Sequence, residues 1–149
     1  MAEVILNTIC TDQSIIGTSA GVSTTPQTRT SQNSAVVVME KLGVNIENRC
    51  SVQLTSTQII EVDLVFAMTE SIKGVLLCKY PEYSSKVFTI NEYVGVKGDV
   101  VDPYGGNVDV YIKTFNSLKN SINLLVNKFN EVWVFSNTDI FFFVIKDTF

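Results

Sequence analysis

The stretch DLVFAMTESIKGVLLCK, Asp63–Lys79, decides the fold class. Its first part, Asp63–Met68, carries a continuous apolar run of strand length, which is typical of a parallel strand buried on both faces. Thr69 follows as a candidate N-cap, with Glu70 in the first turn of a helix that is predicted to reach Lys79. A buried strand that leads directly into a capped helix indicates an α/β fold with a parallel sheet.

The same alternation of strands and helices extends to both sides of this stretch. Further strands are predicted over Ser14–Gly21 and Lys86–Ile90. Three further helices are predicted: one over Met1–Cys10, one that Ser31 caps and that runs to Leu42 before Gly43, and one from Thr55 or Ser56 to Glu61. Asn91–Gly106 is predicted to be mostly loop, because it contains four glycines and a proline. Together these elements predict a three-layer α/β/α architecture around a short, mainly parallel sheet.

The last part of the chain changes character near residue 130. Six apolar residues recur at spacings of three and four and predict one helix of about five turns: Tyr111, Phe115, Leu118, Ile122, Leu125 and Phe129. The tail that follows contains two β-prone runs and reads as a β-hairpin or as two strands. The chain is therefore divided into a domain at 1–130 and an atypical β-prone tail at 131–149.

Composition excludes several functional classes. The chain has 149 residues, a net charge of −4 and no histidine, so histidine-based catalysis and histidine-ligated metals are excluded. Without a Lys/Arg cluster, neither nucleic acid nor an anionic membrane is expected as a partner. No apolar run approaches the length of a membrane span, and the N-terminus lacks the basic and then apolar pattern of a secretory signal peptide. The three cysteines include no C-x-x-C pair, so a cytoplasmic protein without metal or other cofactor is predicted.

The stretch GDVVDPYGG, Gly98–Gly106, contains the strongest candidate for chemistry. Asp102 stands before Pro103, and both residue types favour turns, so a purely structural turn is one interpretation. The other interpretation is that Asp102 is a general acid, which would need a partner group to act on.

Several stretches resemble one family in order and at matching spacings, from Met1 to about Phe129. They are SIIGTSAGVS, TSQNSAVVVMEKLGVNIENRCSVQLT, DLVFAMTESIK and KVFTINEYVGVKGDVVDPYGGNVDVY, and they are similar to the low-molecular-weight protein tyrosine phosphatases, especially their bacterial protein-tyrosine and protein-arginine branch. The resemblance implies a sheet of strand order 2-1-3-4 and phosphoprotein substrates. It also implies that Asp102 is the general acid, that Tyr104 lies at the rim beside the substrate, and that Ser19 braces the phosphate loop.

The phosphate loop of that family, C-x5-R-[ST], does not occur in this sequence. None of Cys10, Cys50 and Cys78 has an arginine six residues later, and they are expected to be buried thiols or incidental residues. The family motif runs on as C-R-S-P-M-A-E, and this chain begins MAE, so we expect a truncation before the loop that also removes the central first strand. Residues 1–149 are then expected to be inactive, either as part of a phosphatase or as a non-catalytic binding relic. The oligomeric state stays open.

The vacated centre of the sheet leads to one further hypothesis about the tail. Unpaired N–H and C=O groups along two neighbouring strands would be costly if they were buried. Val132–Phe135 has the composition of a strand and follows the last predicted helix, so it is a candidate to fill the central position.

Overall fold

The computed structural model describes residues 1–25, 27–132 and 140–145, with side chains up to residue 131. It contains one four-stranded, fully parallel sheet: β1 (Ile15–Ala20), β2 (Leu64–Ala67), β3 (Val87–Thr89) and β4 (Ile140–Ile145). The strand order is β1-β4-β2-β3. The predicted α/β architecture with a short parallel sheet is therefore confirmed.

Local capping chemistry sets the helix boundaries. The helices are α1 (Ala2–Ile9), α2 (Gln32–Leu42), α3 (Ser56–Glu61), α4 (Glu70–Lys79), α5 (Ile90–Tyr93) and α6 (Val108–Val132), with a 3₁₀ helix at Pro81–Lys86. Ser31, Thr55 and Thr69 each accept a hydrogen bond from a backbone N–H of the first turn that follows. Gly43 ends α2 with φ +69°, a conformation that costs glycine little. These predicted helix ends are confirmed.

The segment after β3 differs from its prediction. Ile90–Tyr93 forms a short helix, because Thr89 and Glu92 make a reciprocal capping box: the Glu92 N–H donates to Thr89, and the Thr89 N–H donates to the Glu92 carboxylate. The predicted loop therefore begins after this turn of helix.

β4 occupies the centre of the sheet and pairs with both neighbours. Ile145 lies opposite Ala20 of β1 and Ala67 of β2, and the ladder continues back to Ile140 opposite Ile15. The hypothesis that Val132–Phe135 fills this position is wrong, because Val132 is the last residue of α6 and Ile140–Ile145 takes the place. Residues 133–135 lie outside the described part of the chain. β4 itself is not an arm of the predicted hairpin, because both of its edges are paired in parallel, and the rest of the predicted hairpin lies outside the described residues.

The core forms between the sheet and the helices. All six residues of the predicted α6 stripe are buried, and α6 packs against α1 and α2 while α4 packs against β2 and β3. One polar pair lies inside this core: the buried Ser121 hydroxyl donates to Asn91 Oδ1 at 2.7 Å, and Asn91 Nδ2 donates to the Gly98 carbonyl at 2.8 Å. This pair joins α6 to the loop that leads to Asp102.

Asn7 of α1 covers the outer edge of β1. Its side chain donates to the Gly17 carbonyl and accepts from the Gly17 N–H, both at 2.8 Å. A side-chain amide thus satisfies backbone groups that an edge strand would otherwise leave to solvent or to another chain. Gly17 itself is tightly packed, since a Cβ there would lie 2.7 Å from Leu6 Cδ2.

No helix in the described ranges is both long and apolar enough to cross a membrane.

Candidate active site

Asp102 lies on a loop that other elements hold in place. The Val100 N–H donates to the carbonyl of Met68, which directly follows β2, at 3.0 Å, and Thr114 of α6 donates to the Val101 carbonyl at 3.2 Å. On the far side, Asn33 of α2 donates to the Gly106 carbonyl at 3.1 Å. The position of the loop is therefore fixed by the sheet and by two helices.

Within the loop, Asp102 forms the turn that its sequence predicts. The Tyr104 N–H donates to Asp102 Oδ1 at 3.0 Å, and the Gly106 N–H donates to the Pro103 carbonyl at 2.9 Å. Gly105 takes φ +75°, which a residue with a side chain rarely adopts. Asp102 is exposed, so the turn leaves its carboxylate at the surface of a cavity. The turn and the acid interpretations are thus compatible.

The cavity has a volume of about 550 Å³ and lies beside the carboxyl end of the sheet. Residues from the start of α1, the end of β1, the end of β2 and the acid loop line it together, including Met1, Ser19, Met68 and Asp102. The carboxyl edge of a parallel sheet is where such folds place their ligands. The three residues that the sequence singles out, Ser19, Asp102 and Tyr104, all line this one cavity.

Ser19 is engaged with a residue that the sequence analysis missed. Its hydroxyl donates to Glu3 Oε2 at 2.5 Å, and Arg49 Nη2 donates to Glu3 Oε1 in an ion pair. The Glu3 side chain is 16% exposed and that of Arg49 is 43% exposed, so the carboxylate is the more buried partner of this ion pair. The chain topology could have indicated this contact. Glu3 lies at the start of the helix that precedes β1 and Ser19 lies near the end of β1, and in an α/β fold these two ends lie at the same edge of the sheet.

Both arginines of the chain, Arg29 and Arg49, line the cavity together with Glu3. The Arg29 and Cys50 backbones meet in an isolated antiparallel bridge, which brings their two segments together at the wall. The cavity thus combines two cations with the carboxylates of Glu3 and Asp102.

Tyr104 is 65% exposed and lies at the rim of the cavity. Its position is compatible with stacking on a substrate ring and equally with an ordinary surface aromatic residue. Its predicted role at the rim stays a prediction.

No cysteine is placed to act as the nucleophile of the resembled family. Cys50 and Cys78 are exposed, so of the two alternatives in the sequence analysis a buried thiol is excluded for both and an incidental residue remains. Cys50 lines the cavity wall, but no arginine follows at the required spacing. Cys10 is half-buried at the opposite end of α1, and burial raises the pKa of its thiol, which disfavours the reactive thiolate.

In the described ranges, no group of three Cys, Asp or Glu side chains could hold a metal ion. The side chains that line the cavity include carboxyl groups, which can exchange protons, and guanidinium groups, which can bind an anion.

Comparison with known proteins gives consistent results for the chain. The family described as low molecular weight phosphotyrosine protein phosphatase matches residues 1–133. The protein-arginine-phosphatase of Bacillus subtilis strain 168 is 36% identical over 112 residues, which cover 74% of this chain and 73% of that protein. PtpB of Staphylococcus haemolyticus, a low molecular weight protein-tyrosine-phosphatase, is 31% identical over 79% of this chain and 81% of its own length. The crystal structure of a low molecular weight protein tyrosine phosphatase from T. tengcongensis superposes with a TM-score of 0.80 at 36% identity, covering 85% of this chain and 88% of that one.

Proposed function

Because the chain belongs to the low molecular weight phosphotyrosine protein phosphatase family, we propose that it is the acid-bearing part of a protein phosphatase. The nucleophile loop of that enzyme, C-x5-R, would come from a segment outside residues 1–149. Residues 1–149 by themselves would not hydrolyse phosphate esters.

The observation that carries this proposal is the position of Asp102. An anchored loop holds its exposed carboxyl group at a cavity on the carboxyl edge of the sheet, where Met1 begins α1. In the family, the C-x5-R loop leads into the segment that MAE resembles. A loop that entered from that side would therefore pass through this cavity and face Asp102.

The chemistry follows the family reaction. A cysteine thiolate attacks phosphorus, the bond from phosphorus to the leaving atom breaks, and Asp102 gives its proton to that leaving atom. The Asp102 carboxylate then takes a proton from water, and the resulting hydroxide attacks the cysteinyl-phosphate and releases inorganic phosphate and the thiolate. Without the thiolate the first step does not occur, and Asp102 has no leaving group to protonate.

The two supporting residues would act indirectly. Ser19 would position the C-x5-R loop, and its bond to Glu3 supports a role in ordering this edge of the cavity. Tyr104 would contact the substrate at the rim.

The substrate would be a phosphoprotein that carries phosphotyrosine or phosphoarginine, because relatives of both kinds match the chain at similar identity. A cytoplasmic location belongs to the same proposal, since Cys10, Cys50 and Cys78 are free thiols, as expected in a reducing compartment. Neither nucleic acid nor membrane has a part in it.

The experiment compares two purified chains on p-nitrophenyl phosphate. One is residues 1–149; the other is the same chain preceded by the strand and C-x5-R loop of the Bacillus subtilis protein-arginine-phosphatase, joined at Met1. We expect turnover only from the fusion. In the fusion, Asp102→Asn should lower kcat by about 10²–10⁴-fold, as for loss of a general acid. Asp109→Asn, at an exposed acid in the first turn of α6, serves as the control and should leave kcat unchanged.

Each outcome separates the alternatives. Turnover by residues 1–149 that disappears in Asp102→Asn would show that the chain is active alone and would refute the proposal. A fusion that folds by circular dichroism but shows no turnover would favour a non-catalytic binding protein. Equal kcat for the two Asp variants would remove Asp102 from the role of general acid.

A further inference from the structure

The α1–β1 pair has the arrangement of the second half of a βαβ unit. α1 packs on β1, and the strand beside β1 runs parallel to it, as the first strand of such a unit would. In this sequence only Met1 precedes α1, and the neighbouring position is held by β4, which comes from the other end of the chain. By topology, the central position of the sheet could therefore be taken either by β4 or by a strand that leads directly into α1.

The central position leads directly into the cavity. Ile145, at the carboxyl end of β4, is in register with Ala20 and Ala67, and the next residues of those strands, Gly21 and Met68, line the cavity. Any parallel strand in this position therefore delivers the segment that follows it to the edge where Asp102 lies.

We propose that β4 is a displaceable plug: β4 and the strand of a C-x5-R segment compete for the central position, and the catalytic site cannot assemble while β4 holds it. This inference rests on the proposed function, and it adds autoinhibition by the chain's own tail. The two strands exclude each other because β4 already pairs along both of its edges.

Displacement requires no other element of the sheet to move. β4 is joined to the end of α6 only through residues 133–139, and its pairing partners β1 and β2 keep their own helices and loops. An incoming parallel strand would form the same main-chain hydrogen bonds with β1 and β2, so exchange leaves no unpaired row in the centre of the sheet.

The test is hydrogen–deuterium exchange of the two full chains described above. In residues 1–149 we expect the amides of Ile140–Ile145 to be protected. In the fusion we expect those amides to exchange at least 100-fold faster, while the amides of β1 and β2 stay protected in both chains. Protection of Ile140–Ile145 that is unchanged in the fusion would overturn the plug.

A substitution in β4 provides a second measurement in the fusion. Phe142→Pro removes the N–H at a position paired with Gly17 and Leu64 and disfavours a central strand, whereas Phe142→Leu keeps the N–H and serves as the control. Because proline weakens the pairing of β4, kcat/KM of the Phe142→Pro fusion should equal or exceed that of the Phe142→Leu fusion. If β4 and the incoming strand each hold the central position in half of the molecules, removing β4 should raise kcat/KM about twofold. A lower value would mean that the active fold needs β4 and would contradict the proposal.

The two proposals fail in different ways. Loss of β4 protection without turnover would refute the phosphatase function and leave the strand exchange standing. Turnover with β4 still protected would refute the plug and leave the phosphatase function standing. If the Phe142→Pro fusion does not fold, the exchange measurement on the unsubstituted chains decides.

Discussion

Gly17→Ala should destabilise the protein, because β1 and α1 approach each other most closely at this glycine. A Cβ at Gly17 would lie 2.7 Å from Leu6 Cδ2 and 3.2 Å from Asn7 Oδ1. Carbon atoms prefer a separation of about 3.5–4.0 Å, so the new methyl group overlaps Leu6 by about 1 Å.

The packing leaves little room to relieve this overlap. Leu6 is 1% exposed and lies within the core, so its side chain cannot turn out to solvent. Asn7 accepts from the Gly17 N–H and donates to its carbonyl, so a shift of α1 would stretch both of these bonds. Overpacking of this kind costs about 1–3 kcal/mol. For a chain of this length, a loss of about 2 kcal/mol lowers Tm by roughly 6 °C.

The assay is equilibrium unfolding in urea, followed by circular dichroism, on full-length wild-type and variant chains. Gly74→Ala is the matched control: Gly74 is exposed within α4, and a Cβ there meets nothing within 4 Å. Alanine favours a helix interior by about 0.5–1 kcal/mol over glycine, so this variant should be more stable than wild type. If Gly17→Ala unfolds at the wild-type midpoint, or if both variants lose stability alike, the proposed close packing of α1 on β1 is refuted.

Two further predictions concern polar groups away from the cavity. Ser121→Ala should lower the free energy of unfolding by about 1–3 kcal/mol, because it leaves the buried Asn91 amide oxygen without its donor; Ser117→Ala, at an exposed position of the same helix, should change it by less than about 0.5 kcal/mol in the same urea titration. Burial opposes ionisation of Glu92, but hydrogen bonds from Lys73 and within the capping box favour the carboxylate and lower its pKa. The contribution of Glu92 to the free energy of unfolding is therefore present above the ordinary pKa of 4.5 and is lost as the pH falls below that value. Glu92→Gln should therefore flatten the loss of stability in acid, and an unchanged profile of stability against pH would contradict this prediction.

The sequence predicts the elements whose causes are local. Ser31 and Thr69 cap helices where they are expected to, because a cap depends on a side chain and the N–H groups two or three residues later. The α6 stripe is buried as predicted, since its periodicity of 3.6 fits one face of a helix. For the candidate site, the family resemblance and the acid-loop pattern select Asp102, and its role as general acid stays a prediction.

The sequence does not predict contacts that arise only when distant segments meet. Glu3 and Arg49 are 46 residues apart, and neither has a local pattern that indicates their ion pair. The tail was the other failure: Val132 lies three residues after Phe129, so the helical spacing continues through it, and its strand-forming composition gave the wrong result. When two segments have similar strand-forming composition, the sequence alone does not show which of them pairs with the neighbouring strands of the sheet.

The strand order also has a consequence for biosynthesis. The chain is made from its N-terminus, so β1, β2 and β3 leave the ribosome before β4, although β4 lies between β1 and β2. Until residue 145 has left the ribosome, β1 is not joined to the β2–β3 pair. The inner edges of β1 and β2 are then unpaired and can bind a strand of another chain. Where no other strand takes the central position, the sheet of residues 1–149 is completed only after β4 has been made, and a polypeptide that ends before residue 140 would expose the inner edges of β1 and β2.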